Sequence, residues 1–152
     1  MMNKYVFNNS RMAEKNMYEK HINGTVSELL AEQYFINKGY IVSKPITDFN
    51  EYDFVIDNDG NLQRVQVKTV YYDNSKHRYL SSCVISHIHG NYKRVNKKYT
   101  DKSFELYAFV CKPYNCIYII PNKKLLGRRS LTFYPDNMEK DKKYKKYKNT
   151  LL

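Results

Sequence analysis

Residues 52–72 read YDFVIDNDGNLQRVQVKTVYY, and this stretch decides the fold. Residues 52–57 and 62–72 are rich in Val, Ile, Phe and Tyr, and Asn58-Asp59-Gly60-Asn61 between them is a strong tight-turn signal. The pattern predicts a β-hairpin. Side chains alternate along a strand, so Gln66 and Lys68 share one face of the second arm while Val65 and Val67 take the other. Asp53 stands on the first arm, just ahead of the apolar run Phe54-Val55-Ile56. A hairpin can bring that acid beside Gln66 and Lys68. Two polar residues on one face of an apolar strand need partners, because burying an unpaired ammonium is costly. One reading is an ordinary cross-strand ion pair between Asp53 and Lys68. The other is a site in which carboxylate, amide and lysine act together on a substrate.

Upstream, GTVSELLAEQYFINKGY (residues 24–40) carries Val26, Leu29, Leu30, Tyr34 and Phe35 at helical spacing, with Gly39 as a C-terminal cap. The helix is expected to start at Thr25. Thr25-Val26-Ser27-Glu28 fits a capping box, which would turn Glu28 back onto the Thr25 amide and away from any ligand. Residues 40–44 read as a short strand ended by Pro45. Residues 1–20 form a polar N-terminal segment, with a short helix possible around Met12, Met17 and Tyr18. Downstream, residues 79–88 alternate as a strand and 89–103 read as a basic loop. A second hairpin follows, 105–112 and 116–120, stopped by Pro121. Residues 130–152 read as a basic C-terminal tail.

At 152 residues the chain is expected to be one domain, 1–152, with no internal repeat and no linker. A hydrophobic content of 42% excludes a disordered chain. The net charge of +11 points to a polyanionic partner, nucleic acid first and an anionic membrane second. No apolar run approaches the ~20 residues that span a bilayer, so no membrane role is expected. The opening MMNKYVFNNSRMAEKN has no signal-peptide core, and a cytoplasmic location is expected. Cys83, Cys111 and Cys116 lack CxxC spacing and read as buried thiols, although Cys111 and Cys116 can face each other across the second hairpin.

Basic and aromatic residues interleave around Lys76, Arg78 and Tyr79, and again from Lys93 and Arg94 through Lys97 and Lys98. Lys123, Lys124, Arg128 and Arg129 form a third cluster. Lysine and arginine neutralise phosphates, and tyrosine hydroxyls can bond to the same backbone. For each run alone a solvated surface explains the pattern equally well, but together they account for the net charge. His87-Ile88-His89-Gly90-Asn91 is similar to the start of an HNH nuclease motif, yet no histidine follows His89. His87 and His89 are expected to contact phosphate or to end a strand, not to bind zinc.

The joint pattern GxxxExxA, a glycine, a strand ending in proline, YDxxID, a turn and RVQVKT resembles the PD-(D/E)XK nuclease superfamily over residues 24–70. YAFVCKPYNCIYIIP (residues 107–121) looks like the closing strands of that fold. The resemblance implies an α/β, restriction-endonuclease-like αβββαβ core with a mixed central sheet flanked by helices. It implies a metal-dependent DNA endonuclease in which Glu28 orients a metal-bound water and Asp53 is the central metal ligand. Gln66 becomes a ligand through its side-chain carbonyl, Val67 through its backbone carbonyl, and Lys68 the cation near nucleophile or scissile phosphate. Mg²⁺ is the implied cofactor, with Mn²⁺ substituting. Two departures stand out: Tyr52 replaces the proline before the acid, and Gln66 replaces a carboxylate. The glutamine variant looks most like compact phage and bacterial homing endonucleases, which implies a site-specific double-strand cutter of bacterial or phage-infected, nucleoid-associated surroundings. The rivals are a Holliday junction resolvase-like nuclease and a catalytically inactive DNA-binding protein. Double-stranded or branched DNA is the implied partner, and cutting both strands implies a homodimer or homotetramer.

Overall fold

The computed structural model describes the backbone of residues 4–47, 50–89, 93–137 and 139–152, and the side chains of 15–47, 50–85, 96–137 and 139–152. The chain opens with a single α-helix, α1 (Lys4–Asn37). It continues into β1 (Ile41–Ser43), β2 (Phe54–Asn58) and β3 (Asn61–Thr69). Next come β4 (Tyr71–Asp73), β5 (Arg78–Ser82), β6 (Val84–His89) and β7 (Lys93–Lys98). The chain closes with β8 (Leu106–Cys111), β9 (Cys116–Pro121), β10 (Ser130–Phe133) and β11 (Lys148–Thr150).

The main sheet is mixed, in the order β1-β2-β3-β8-β9-β11. Its central pair, β3 with β8, is parallel, and the other neighbours are antiparallel. The expected first hairpin forms: Asp59 and Gly60 take positive φ of 52° and 89°, the geometry of a tight turn whose twist matches the strands. The Asp57 carboxylate accepts the Gly60 N–H at 2.7 Å and locks that turn. The second hairpin also forms, and Cys111 and Cys116 stand opposite each other as free, buried thiols.

The sheet separates two cores. One face, with Phe54, Ile56, Val65, Val67, Ala108 and Val110, packs on Ala31, Tyr34 and Phe35 of α1. The other, with Tyr107, Phe109, Tyr118 and Ile120, is covered by Leu131, Phe133 and Tyr144. Each such side chain fully buried is worth about 1.5–3 kcal/mol. Gln66 and Lys68 pair in register with Tyr107 and Phe109, so they belong to the face away from α1. Arg64 holds the entrance to the parallel pair, its guanidinium gripping Glu105 through both carboxylate oxygens at 2.6 and 3.0 Å.

Several expectations need correction. The helix does not begin at Thr25; it runs through it, since residues 13–23, AEKNMYEKHIN, are good helix formers and Gly24 is tolerated. Thr25 is therefore not a cap, and the Thr25–Glu28 capping box does not exist. The end is as expected: Tyr40 N–H donates to Phe35 O at 3.1 Å and Gly39 N–H to Ile36 O at 2.9 Å, with Gly39 at φ 88°. This is a Schellman cap, completed by Phe35 and Tyr40 rings in edge contact. The second helix of the αβββαβ expectation is absent among the described residues. The connection from β3 to β8 is built instead from β4 to β7, because its Tyr, Val, Ile and Ser residues favour a pleated strand over a helix. Part of the stretch read as loop, 89–103, is β7. Residues 130–152 are no free tail: β10 pairs with β5, and β11 forms the edge of the main sheet beside β9.

Candidate active site

The strand ladder of β2 and β3 ends at the Phe54–Val65 pair, and Asp53 stands just beyond it. Its N–H donates to Val65 O at 2.9 Å. Its carboxylate then takes the place of the next backbone partner: Asp53 Oδ2 accepts the Val67 N–H at 2.6 Å and Gln66 Nε2 at 2.9 Å. Gln66 Nε2 also donates to the Val67 carbonyl at 3.1 Å. One amide nitrogen thus bridges two oxygens, and the three residues form a closed cluster with Gln66 buried at 9% exposure.

Lys68 follows on the same face. No direct ion pair within 4.0 Å joins it to Asp53, so the ordinary cross-strand salt bridge considered above is not formed. Its Nζ lies 5.2 Å from the centre of the Tyr99 ring instead, a cation–π contact. Burial pulls the Lys68 ammonium below its usual range, and the nearby Asp53 charge opposes that only in part. Burial likewise raises the Asp53 carboxyl, against the Val67 N–H and the Lys68 charge, which both favour its ionised form. Burial pushes the two groups towards neutrality against their mutual attraction, a state common where side chains exchange protons or await a charged ligand.

Asp53 opens into a cleft of about 230 Å³ whose lining includes Glu28 of α1, Lys44, Thr47, Asn50 and Tyr52. Glu28, released from capping by the continuous helix, therefore faces the Asp53 cluster. The cleft also holds residues that the strand and helix patterns did not single out. Lys44, just after β1, donates from Nζ to Glu32 Oε1 at 2.7 Å. Glu32 lies one helical turn from Glu28 and is close enough to oppose ionisation of Asp53. The i, i+4 spacing of the two acids was the available signal. The helix itself is docked beside the site by Ser27, whose hydroxyl lies 2.7 Å from that of Thr69 on β3.

The residues expected to meet DNA are distributed. Lys76, Arg78 and Tyr79 lie on the β4–β5 hairpin. Lys97 pairs with Glu51 at 3.3 Å, which holds β7 next to the segment leading into Asp53. Lys98, Lys123, Lys124, Arg128 and Arg129 are exposed. Arg128 acts on the buried Cys83 thiol together with Lys68, so this cluster borders the site. The side chains of His87, His89, Lys93 and Arg94 lie outside the described residues. Their backbone forms the β6–β7 ribbon, with His89 opposite Lys93 and His87 opposite Val95.

Among the described residues no three His, Cys, Asp or Glu side chains converge as a metal cluster. A metal would need other ligands, and the cluster supplies oxygens: the Asp53 carboxylate, the Val67 carbonyl, and the Gln66 carbonyl if its amide turns. Glu28 adds a second carboxylate across the cleft. An all-oxygen donor set suits a hard divalent cation, and the bridging amide nitrogen marks a point where two oxygens already attract positive charge.

A mixed sheet with a parallel central pair, a helix on one face and this carboxylate–amide–lysine cluster on its central strand β3 define a restriction-endonuclease-like protein. The chain belongs to the PD-(D/E)XK endonuclease family, whose model matches residues 18–149. Nucleases of this family act on DNA and typically use divalent metals. The fold is similar to that of a bacterial homing endonuclease, I-Ssp6803I, with TM-score 0.74 and 19% identity over 84% of this chain and 87% of that one. In sequence, the chain is 40% identical to Protein 5.3 of Escherichia phage T7 over 53 residues, 35% of this chain. The match spans about half of that relative, 45% of its length. Among the described residues no helix is long and apolar enough to cross a membrane.

Proposed function

We propose that this nuclease is a Mg²⁺-dependent, site-specific DNA endonuclease of the homing type, working as a symmetric oligomer on double-stranded DNA inside a bacterial or phage-infected cell. The observation that carries the reading is the Asp53 carboxylate, half-buried beside Gln66, Val67 and Lys68 and open to a cleft shared with Glu28. The homing-type assignment is supported by the fold likeness to I-Ssp6803I and by the glutamine in the third motif position.

Asp53 and the Val67 carbonyl would hold the ion. Gln66 would join them through Oε1 by rotating its amide, which frees Nε2 from both oxygens. A bound Mg²⁺ supplies polarisation of the phosphate and a more acidic water. Glu28, from the helix side, orients that water. Lys68 stabilises negative charge at the scissile phosphate, and its lowered pKa eases proton exchange with the attacking or leaving oxygen. Lys44 offsets the charge of the acids until substrate arrives.

The test is cleavage of a genomic target library, of unrelated linear duplex and of a four-way junction, each with Mg²⁺ or Mn²⁺. Cutting at one duplex sequence, lowered about 100-fold or more in Lys68→Ala with DNA binding retained, is expected. Cutting of junctions in any sequence would replace the homing reading by a resolvase. Binding without cutting on every substrate would leave a DNA-binding protein.

A further inference from the structure

Away from the site just described, the β4–β5 hairpin and the chain after β10 enclose a pocket of about 180 Å³. Its polar walls are Arg78, His77, Asn137 and Lys140, and Tyr72 and Tyr79 stand over them. The Arg78 side chain has no hydrogen-bond or ion-pair partner among the described residues, and its Nε is buried without an acceptor. The half-buried guanidinium thus carries a donor for which the protein supplies no acceptor, and a bound anion would satisfy it.

The nearby acids do not serve it. Asp73 faces Arg78 across the hairpin, but its Oδ1 accepts from Ser75 N–H and Oγ at 2.9 and 2.6 Å and from Lys76 N–H at 3.2 Å. Asp136, which also lines the pocket, makes no ion pair with Arg78 within 4.0 Å, and its charge acts on the Tyr114 hydroxyl. Asn137 turns its Oδ1 onto the N–H groups of Glu139 and Lys140 at 3.1 and 3.0 Å, which fixes the Lys140 wall. The Tyr72 and Tyr79 rings, 5.0 Å apart, hold the hairpin side rigid.

We propose that this pocket is a second binding site, that it takes a phosphate group on Arg78 with Lys140 and His77, and that the phosphate belongs to the nucleic-acid backbone. Arginine matches phosphate in planar, two-pronged geometry, and the two tyrosines offer ring faces to the adjoining sugar, the Tyr79 hydroxyl being donated to Tyr114. The backbone as source rests on the nuclease reading; the phosphate site does not. Tyr72 is the fourth residue after Lys68, so the two backbones lie within about 14 Å. That corresponds to about four nucleotides along a duplex, and one bound DNA can reach both. The pocket would then fix the register of the DNA on the protein without cutting it.

The experiment uses full-length protein carrying Lys68→Ala, which keeps the DNA intact, with Arg78→Met or Lys140→Met added. Duplex affinity is measured across a salt series, and melting is measured in phosphate and in chloride at equal ionic strength. Each added substitution is expected to make the salt slope shallower by about 0.9, a change of about 3.5-fold in relative affinity between about 50 and 200 mM salt. Phosphate is expected to raise the melting point over chloride by more in the parent than in Arg78→Met, the variant giving the general salt effect of phosphate. Unchanged slopes together with an equal phosphate effect in parent and variant would overturn the site. Phosphate protection with unchanged slopes would overturn the backbone as its source. If Arg78→Met fails to fold, Lys140→Met and His77→Ala, both at exposed positions, decide the matter. Mg²⁺-dependent cleavage by the unsubstituted chain is scored separately, so its absence would defeat the nuclease reading while leaving the slopes to judge the pocket.

Discussion

Gln66 is the residue whose chemistry the site turns on. Its amide neutralises what would otherwise be two buried carboxylates side by side, since Nε2 donates to Asp53 and to the Val67 carbonyl. Gln66→Glu removes both donations and places a second acid beside a carboxyl that burial already raises. Without metal this variant is expected to lose about 1–3 kcal/mol of stability. The sign follows from the raised pKa: the folded state holds the shared proton more tightly than the unfolded chain, so stability falls as pH rises through that pKa and is regained as pH drops below it. With Mg²⁺ the variant is expected to gain more melting temperature from the ion than wild type does. Melts in chelator and in Mg²⁺ across pH check both halves. A variant as stable as wild type in chelator would mean that the amide is not a donor to Asp53. Asp53, Gln66 and Lys68 were legible in the sequence because strand alternation and one tight turn suffice to place them. Glu28 was half legible: its position was right and its capping box was not. Glu32 and Lys44 were hidden, because their pairing depends on how a helix and a strand twelve residues apart in sequence dock.

At the scale of elements, the main difference between pattern and structure is the 34-residue α1. A capping box followed by apolar spacing looks the same whether a helix begins there or merely passes through, and only the upstream turns distinguish the two. Gly24 sits inside the helix with no neighbouring group within 4 Å of the place an added methyl would occupy, so Gly24→Ala is expected to stabilise by about 0.5–1 kcal/mol. Gly39, at φ 88°, is open in space but not in backbone, and Gly39→Ala is expected to destabilise by about 1 kcal/mol. Thr25→Ala discriminates further. At a true N-cap it would cost about 1 kcal/mol, whereas here it is expected to cost nothing. Urea titrations of the three variants give these values. The missing second helix has a similar origin: residues 79–88 read as a strand, but the strand character of 71–73 and 93–98 emerges only when β4 finds β5 and β7 finds β6.

For the molecule as a whole, charge misled the reading of residues 130–152. Lysines dominate there, yet the apolar residues among them complete both cores, with Leu131, Phe133 and Tyr144 on one face of the sheet and Leu151 on the other. Asp141 is buried at 3% exposure, accepting the Tyr118 hydroxyl at 3.0 Å while its Oδ1 has no partner. Burial raises its pKa, so it costs stability as pH rises from about 4 through that value, and Asp141→Asn is expected to flatten this part of the profile. The sharper test is truncation after residue 147. It removes β11 from the edge beside β9, where Lys148, Asn149 and Thr150 pair with Tyr118, Ile117 and Cys116. It removes Leu151, whose burial is worth about 1.5–3 kcal/mol. It also strips Asn115, at the tip of the β8–β9 hairpin, of three hydrogen bonds to residues 151 and 152 at 2.9 to 3.1 Å. At about 1 kcal/mol each, these bring the expected loss to about 4 kcal/mol or more, a large share of a domain's stability. A basic tail would behave differently, leaving the melt unchanged and weakening DNA binding alone. Because Leu151 shares the α1-side core with Ile117 of β9 and Val110 of β8, the truncated protein is also expected to lose hydrogen-exchange protection in β8 and β9 before it does so in β2 and β3. Intact protection in β8 and β9 would mean that β11 is an accessory edge and that the parallel centre of the sheet stands without it.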